Sequence, residues 1–323
     1  MKTQCSSKAA VNNSSFSGRK EQYLMEIMPF QEWKETKLTL QLLSQILGKI
    51  RLETAPQEPQ WEHVMLEVTR NGFSTGMLLK ERKAFELEID IRNSRLVLAV
   101  EDAVETKKLE DGTSIQTYYE WVFSCLHQAG VHVHIHPIPQ EMPVTVSFSE
   151  DQVHKRYDAE AAMKGLKMMQ AAYQEELAFI GPLRCRKIKP GLFWGTFDVS
   201  TIIVESIPEP FPEDKTIEKA AFDEQFIEFG FWPGDDNTAV PAFFVLPYPF
   251  QQKDLNSPEL EPENAYYDQN ASEYFLPLTN GFDEKAIQRF FHTTFALLHA
   301  ELGWKDREYF YRPLLMKKPP TIK

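Results

Sequence analysis

Two short stretches of the sequence combine aromatic, acidic and hydroxyl side chains at strand-like spacing: FWGTFDVS at residues 193–200 and QFIEFGFW at residues 225–232. Successive side chains of a β-strand point to opposite faces, so residues two apart share a face. The polar faces that result are Trp194, Thr196, Asp198 and Ser200 in the first stretch, and Phe226, Glu228, Gly230 and Trp232 in the second. A tryptophan beside a carboxylate is typical of a binding cleft, because apolar walls raise a carboxyl pKa towards neutrality.

If the two strands are neighbours, these faces predict one cavity walled by Trp194 and Trp232, with Asp198 and Glu228 near its floor. The glycine of the second stretch would leave room for a ligand. In such a cavity Asp198 or Glu228 would act as acid or base, and His63 would assist. The alternative is that both carboxylates lie on a solvated sheet face and that each tryptophan packs under a helix.

The segment VHVHIHP places His132, His134 and His136 at alternate positions. In a strand all three imidazoles would share one face, with neighbours about 7 Å apart and the outer two roughly 13 Å apart. A metal ion lies about 2.0–2.1 Å from each bonded nitrogen, so it would reach one adjacent pair but not all three. The spacing favours a strand with a solvated histidine face and predicts no metal site. A metal held by one pair and a third ligand from elsewhere is the alternative.

Composition excludes several classes of function. The chain of 323 residues has a formal net charge of −12, which repels a phosphate backbone, so no nucleic-acid partner is expected. No apolar run is long enough to span a bilayer, and the first residues contain no apolar signal segment, which predicts no membrane partner. Three scattered cysteines, Cys5, Cys125 and Cys185, suit a reducing compartment and indicate a cytoplasmic protein. Nucleotide-binding and hydrolase fingerprints are absent, so the sequence specifies no cofactor, and it specifies no oligomeric state.

The elements around these segments predict an α+β fold, in which mainly antiparallel sheets pack against helices. In each half the predicted order is a helix, about four strands and a second helix. Asp158 is the expected N-cap of a helix that reaches Ile180, and Asp283 that of the last helix. In the second half the strand candidates are LFWGTFDVSTIIVES, EQFIEFGFW, PAFFVLPYP and EYFLPL. The predicted division is a disordered leader at 1–28, lobes at 29–150 and 151–304, and a tail at 305–323.

Several motifs, in this order, resemble those of an uncharacterised bacterial family of the kind called domains of unknown function. They are W-K-E-T-K-L-T-L, Q-I-L-G-K-I-R-L, W-E-H-V, H-K-R-Y-D, F-W-G-T-F-D and G-F-W-P-G. The resemblance covers roughly residues 29–249. It implies one shared architecture and a bacterial source, but no activity. Two positions depart from the family pattern: Gly191 stands where a histidine is often found, and an arginine is replaced near Ile203. If that pair were catalytic, this member would bind without turnover.

The resemblance also implies which residues matter. The family motifs fall on Trp33, Thr36, Thr39, Gln45, Lys49, Trp61, His63, His154, Tyr157, Asp158, Trp194, Asp198 and Trp232. Together with the strand patterns, it gives as candidate ligand contacts Trp194, Thr196, Trp232, Thr36, Thr39, Lys49, His154 and Tyr157.

The function expected from these observations is the binding of a small organic ligand in a polar and aromatic cleft, with acid–base catalysis as an extension. The alternatives are an interaction module whose aromatic face docks another protein, or a metal-binding protein that uses the strand of His132, His134 and His136. Trp232 distinguishes the first two, because a ligand site would place it in a concavity and an interaction module in an open, flat patch.

Overall fold

Two antiparallel sheets of six strands each form the frame of the protein in the computed structural model, which describes residues 27–212, 215–279, 281–305 and 308–315. The helices pack against these sheets, which confirms the α+β class. Nearly all of the predicted leader, and most of the predicted tail, lie outside the described residues. None of the helices in the described ranges is long and apolar enough to cross a bilayer.

The first sheet belongs to the N-terminal half, and its strands pair in the order β1-β2-β4-β5-β6, with β3 beside β4. The elements are α1 (Lys34–Thr54), β1 (Glu67–Val68), β2 (Gly72–Ser74), β3 (Leu78–Lys80), β4 (Lys83–Asp90), β5 (Arg95–Val100), β6 (Ala103–Lys108) and α2 (Ile115–Gln128). Burial alternates along the middle of β4, where Phe85, Leu87 and Ile89 are buried and Glu86 is exposed. A short 3-10 helix, Pro59–Val64, connects α1 to this sheet.

The second sheet belongs to the C-terminal half, and its strands pair in the order β11-β12-β10-β9-β8-β7. The elements are α3 (Ala159–Ile180), β7 (Lys187–Phe193), β8 (Asp198–Pro208), α4 (Thr216–Ala221), β9 (Glu224–Trp232), β10 (Ala242–Tyr248), β11 (Tyr266–Asp268), β12 (Glu273–Pro277), α5 (Glu284–Glu301) and α6 (Glu308–Tyr311). Helices α3 and α5 cover one face of this sheet, where Phe229 lies 4.8 Å from Phe179 and 5.5 Å from Phe291 between ring centroids.

Side-chain caps set the starts of α3 and α5, as the sequence predicts. Asp158 accepts hydrogen bonds from the backbone N–H groups of Glu160 and Ala161, and α3 then runs to Ile180. Asp283 accepts from the backbone N–H groups of Lys285 and Ala286 at the start of α5. Each carboxylate satisfies N–H groups that have no partner within the helix, and its charge complements the helix dipole.

One apolar core continues through both halves. Leu66, just before β1, and Leu192 of β7 exchange backbone hydrogen bonds of 2.9 and 2.8 Å, which join the two sheets. Side chains from both halves, such as Leu47 and Phe231, belong to the same buried cluster. The division of the chain into two lobes at residue 150 stays a prediction.

Three expectations about strands are corrected. Each half has six strands rather than about four. Four of the strands, β1, β2, β3 and β11, have only two or three residues. The segment with His132, His134 and His136 is not a strand. The stretch at residues 192–206 is not one strand, because residues 194–197 form a turn between β7 and β8, closed by a 2.9 Å hydrogen bond from the Phe197 N–H to the Phe193 carbonyl.

Candidate functional site

A cavity of about 640 Å³ lies on the face of the second sheet that α3 and α5 leave free. Its aromatic lining is Trp61, Phe193, Phe222, Phe226, Trp232, Phe244, Phe250 and Phe275. Its acidic lining is Glu141, Asp198, Glu218, Glu228 and Glu273. Phe250 is 39% exposed, so the cavity reaches solvent beside it.

Strand alternation and register build the floor of the cavity. Asp198, Ser200 and Ile202 project from β8 on the cavity face, whereas Val199 and Ile203, at the alternate positions, are fully buried on the other. On the neighbouring β9, Glu228 lies opposite Ile202. The predicted faces of β9 are therefore observed, with Phe229 and Phe231 in the core and Glu228 and Trp232 on the cavity side.

Gly230 does not leave an open space for a ligand. It lies opposite Ser200 on β8 and Phe244 on β10, and a Cβ atom at this position would lie 2.3 Å from the Cζ atom of Phe244. The ring of Phe244 therefore covers the glycine, and this cross-strand contact fills the gap that the sequence pattern suggested.

Beyond Glu228, one end of the floor is apolar. Ile202, Phe226 and Leu246 form a small buried cluster with Tyr248, separate from the main core, and Phe222, the residue after α4, packs against it. The rings of Phe222 and Phe226 are 5.4 Å apart between centroids. The cavity thus has an acidic part and an apolar part.

Burial changes the acidity of the two carboxyl groups on the floor. It raises the pKa of Asp198 to about 6, against the opposing effects of hydrogen bonds from Thr196 and Ser200 and of the Lys37 charge. It raises the pKa of Glu228 to about 8, and the negative charge of Asp198 raises it further, while a hydrogen bond from Ser200 opposes the shift. The Thr196 hydroxyl donates to Asp198 Oδ1, and the Ser200 hydroxyl lies near both acids.

Glu273 and Glu141 bring two more carboxyl groups to the cavity. Burial and the charge of Asp198 raise the pKa of each to about 7. Glu141 as a residue is exposed, but its carboxyl group turns inward, and its Oε2 atom would lie 2.0 Å from a Cβ at Gly195. Only a glycine at 195 admits this approach.

A polar stripe along α1 holds the loop that carries Glu141. Its members are spaced four apart and share one side of the helix: Lys37, Gln41, Gln45 and Lys49. Gln45 donates to the Gln140 carbonyl at 2.7 Å and accepts from the Gln140 N–H at 2.8 Å. Lys49 donates to the Ile138 carbonyl and to Gln140 Oε1, both at 2.8 Å.

The same stripe holds the turn before Asp198. Gln41 donates to the Gly195 carbonyl at 2.6 Å, and its Oε1 atom accepts from Lys37 at 2.8 Å. The Lys37 ammonium lies 5.4 Å from the ring centroid of Phe197. Burial lowers the pKa of Lys37 to about 8, against the effect of Asp198. Helix α1 therefore contributes positioning contacts to the cavity rather than lining it.

The 3-10 helix after α1 supplies part of the cavity wall. Gln60 and Trp61 have positive φ angles of 51° and 59°, and both line the cavity. Gln60 donates to Asp223 Oδ1 at 2.6 Å and accepts from Arg186 at 2.8 Å. These bonds attach a segment of the N-terminal half to the residues that immediately precede β7 and β9 in the C-terminal half.

The predicted site residues separate into two groups. Asp198, Glu228, Thr196 and Trp232 line the cavity together. Trp194 does not, so the expectation of one cavity shared by both tryptophans is wrong. Its ring packs where a side chain at Gly48 would be, 2.0 Å from the position of that Cβ, and its Nε1–H donates to the Val64 carbonyl at 2.9 Å.

The other predicted residues lie away from the cavity lining. His63 is buried in the 3-10 helix, where its Nδ1 atom accepts from the Glu58 N–H at 3.1 Å and burial lowers its pKa. Lys49 holds the loop at 138–140, as described above. Thr39 is buried on α1 and its hydroxyl has no partner among the described residues.

Three further predicted residues, Thr36, His154 and Tyr157, lie near the start of α3. Thr36 accepts from the Asp158 N–H at 3.0 Å, and the Tyr157 hydroxyl donates to Ser94 at 3.2 Å. His154 Nδ1 lies 2.7 Å from Asp151 Oδ2. These contacts connect the start of α3 to α1 and the loops around it.

Sequence reasoning missed Glu141, Glu273 and Phe244. Glu273 begins the predicted strand EYFLPL, and Phe244 lies within PAFFVLPYP, so strand alternation was the available signal for both. Glu141 gave no such signal, because it lies in a loop and reaches the cavity only through the contacts that α1 makes with residues 138–140.

His132, His134 and His136 are exposed and lie outside this cavity. The ring centroids of His132 and His127 are 5.2 Å apart. Within the described residues there is no group of three or more histidine, cysteine, aspartate or glutamate side chains able to hold a metal ion.

Comparison with known proteins gives one match. The model of DUF5996, described as a family of unknown function, matches residues 26–310. No curated protein and no solved structure matches the chain. Since the match covers most of the sequence, the resemblance inferred from the motifs is confirmed, and the chain belongs to the DUF5996 family.

Proposed function

We propose that the protein binds a small organic ligand in the cavity on the free face of the second sheet. The observation that carries the proposal is the cavity itself, whose volume of about 640 Å³ lies within the range of small-molecule sites. Apolar walls with a few converging polar groups are the usual composition of such sites. Trp232 lines a concavity here, which favours a ligand over a flat docking surface for another protein.

Acid–base chemistry on the bound ligand is a second candidate, favoured by the different environments of Asp198 and Glu228. With pKa values raised to about 6 and about 8, Asp198 is mainly ionised at pH 7 and Glu228 mainly protonated. Two carboxyl groups that titrate apart in one site can serve as base and acid. The hydroxyl of Ser200 lies near both carboxyl groups.

We also infer a bacterial source and a cytoplasmic location. The motif order supports the first. Cys125 and Cys185 are free thiols, which supports a reducing compartment. The net charge of −12 supports a small molecule rather than a nucleic acid as the partner.

The proposal is tested by screening a chemically diverse fragment set with ligand-observed NMR, on wild type and on Ala221→Trp. Ala221 lines the cavity from α4 and is partly exposed, so an indole there fills space without entering the core. Ala103→Trp on the exposed strand β6 is the matched control. We expect fragments to bind wild type and Ala103→Trp, and to lose binding in Ala221→Trp. A screen without hits, or hits that all survive Ala221→Trp, would contradict the proposal.

A further inference from the structure

The charged side chains of the cavity lining all have the same sign. Five carboxyl groups line it, and no lysine, arginine or histidine among the described residues does. The charge of Lys37 acts on Asp198 at the floor, but its ammonium donates to Gln41 and lies against the ring of Phe197. The cavity therefore holds acidic groups without a basic side chain that enters it.

Two of these acids have no polar partner among the described residues. Neither Glu141 nor Glu273 forms a hydrogen bond or an ion pair through its carboxyl group with another described residue. The charges that raise their pKa values are acidic too: Asp198 acts on both, Glu218 on Glu141 and Asp268 on Glu273. Carboxyl oxygens that are partly removed from water and have no donor of their own are available to a donor brought by a ligand.

The polar and apolar groups lie at different ends of the cavity. Glu228 and Phe226 lie two residues apart on β9, which is roughly 7 Å along the strand. The acidic groups surround Asp198 and Glu228, whereas the surface beyond Ile202 consists of Phe226 and Phe222. Faces of aromatic rings attract a cation and also accept apolar groups.

Resting on the proposed function, we infer that the ligand is an organic cation, a protonated amine joined to an apolar body. Its ammonium group would lie among Asp198, Glu228 and Glu273, and its apolar body against Phe226 and Phe222. An ammonium group supplies the donors that these oxygens lack and compensates charges that no lining side chain balances.

The charges around Glu228 predict how binding depends on pH. The titratable and charged groups near it are Asp198 on β8, Glu273 on β12, Glu141 in the loop before α3, Glu218 on α4, Glu176 on α3 and Lys37 on α1. Five of these six are acids. Burial raises the pKa of Glu228 to about 8 and that of Glu273 to about 7. A bound cation lowers both values, so binding should release protons and tighten as the pH rises from 6 to 8.

The test uses three compounds of nearly equal shape and different charge: 2-phenylethylamine, 2-phenylethanol and 3-phenylpropionate. Affinities are measured by isothermal titration calorimetry at pH 6, 7 and 8, in two buffers of different ionisation enthalpy. We expect the amine to bind at least about tenfold more tightly than the other two at pH 8, because a charge-assisted hydrogen bond accounts for such a factor. Proton release should appear as a difference in heat between the two buffers.

Two substitutions test whether the preference for the amine arises in the cavity. Glu228→Gln and Glu273→Gln keep the shape of the side chain and remove its charge, and each should weaken amine binding while leaving alcohol binding unchanged. Glu259→Gln, in an exposed loop outside the cavity, should change neither. Alcohol or carboxylate affinity equal to that of the amine would overturn this inference, as would unchanged amine binding in both variants. In that case, binding of the alcohol or the carboxylate in the cavity would still support the proposed function. Only a fragment screen without hits would contradict the proposed function itself.

Discussion

Glu228 lies between Ile202 on β8 and Leu246 on β10, so its carboxyl group has apolar side chains across both neighbouring strands. Burial of an ionised carboxylate in apolar surroundings is unfavourable, and the pKa of Glu228 is raised for this reason. The folded protein retains the Glu228 proton between pH 4.5 and about 8, whereas the unfolded chain has lost it. The folded state therefore binds more protons in this window, and stability must fall as the pH rises through it.

Glu228→Gln should remove this part of the pH dependence, because the amide is neutral throughout. We expect the variant to be more stable than wild type by at least about 1 kcal/mol at pH 8.5, and close to wild type at pH 5. Urea denaturation at the two pH values measures the difference. Glu259→Gln is the control and should retain the wild-type dependence. A Glu228→Gln variant that loses as much stability as wild type between pH 5 and 8.5 would contradict the assignment.

Gly48→Ala tests the packing of Trp194 against α1. A methyl group there would lie 2.0 Å from Trp194 Cδ1, so the indole must move and lose its bond to the Val64 carbonyl. We expect a loss of about 1–3 kcal/mol from overpacking, although alanine is the better helix former. In the double variant with Trp194→Phe, the smaller ring should relieve the contact, so the two costs should not add. Strict additivity in urea denaturation would argue against this contact.

At this scale the sequence predicted the strand face of Glu228 and Trp232 correctly and misplaced the side chain of Trp194. Alternation is reliable within an uninterrupted strand, and residues 224–232 are one. Trp194 follows the last residue of β7, in a turn that reverses the chain, so its side chain no longer follows the alternation. Asp198 kept its predicted face because β8 starts with it. The turn contains Gly195, a residue type that is common in turns. The alternating residues around it nevertheless predicted a continuous strand.

Among the elements, α1 determines the shape of a cavity that it does not line. Gln45 is fully buried and bonds to both backbone groups of Gln140. Gln45→Ala leaves those groups without a partner, which costs about 1–3 kcal/mol. We expect faster hydrogen–deuterium exchange at residues 138–142 and a smaller effect elsewhere. Glu53→Ala, on an exposed position of the same helix, is the control. Equal exchange in both variants would contradict the positioning role of the stripe.

The start of α3 depends on Asp158. Asp158→Ala removes the acceptor for the N–H groups of Glu160 and Ala161 and should cost about 0.5–2 kcal/mol. Asp158→Asn keeps a capping oxygen and should retain most of the stability. Thermal unfolding of the two variants measures the comparison. A melting temperature unchanged by alanine, or lowered equally by asparagine, would be inconsistent with the cap.

Helices were the most predictable elements, because an amphipathic period and a capping residue agree in α3 and α5. The segment VHVHIHP shows the opposite case. Val131 and Val133 are buried at 1% and 7% exposure while the histidines between them face solvent, which is the burial pattern of a strand. The segment lies against the core without pairing to another strand. A burial pattern predicts which residues face the core, but not whether a backbone partner is present.

For the molecule as a whole, the shared core has a thermodynamic consequence. Because buried side chains of both halves belong to one cluster and the sheets join at Leu66 and Leu192, unfolding one half exposes the core of the other. We expect one calorimetric transition, with equal calorimetric and van't Hoff enthalpies. Two resolved transitions, or an enthalpy ratio well above one, would show that the halves unfold separately, as the predicted division at residue 150 implies.

The attachment of Gln60 to Asp223 and Arg186 also has a consequence for inheritance. The residues of one cavity are encoded in two distant parts of the gene. The first half encodes part of the wall and the positioning contacts of α1, and the second half encodes the floor. Recombination between two family members near codon 150 would combine the wall of one parent with the floor of the other. We expect such hybrids to fold only where both parents match at these contacts, and their ligand preference to follow neither parent. Substitutions at positions 60, 223 and 186 should therefore be inherited together.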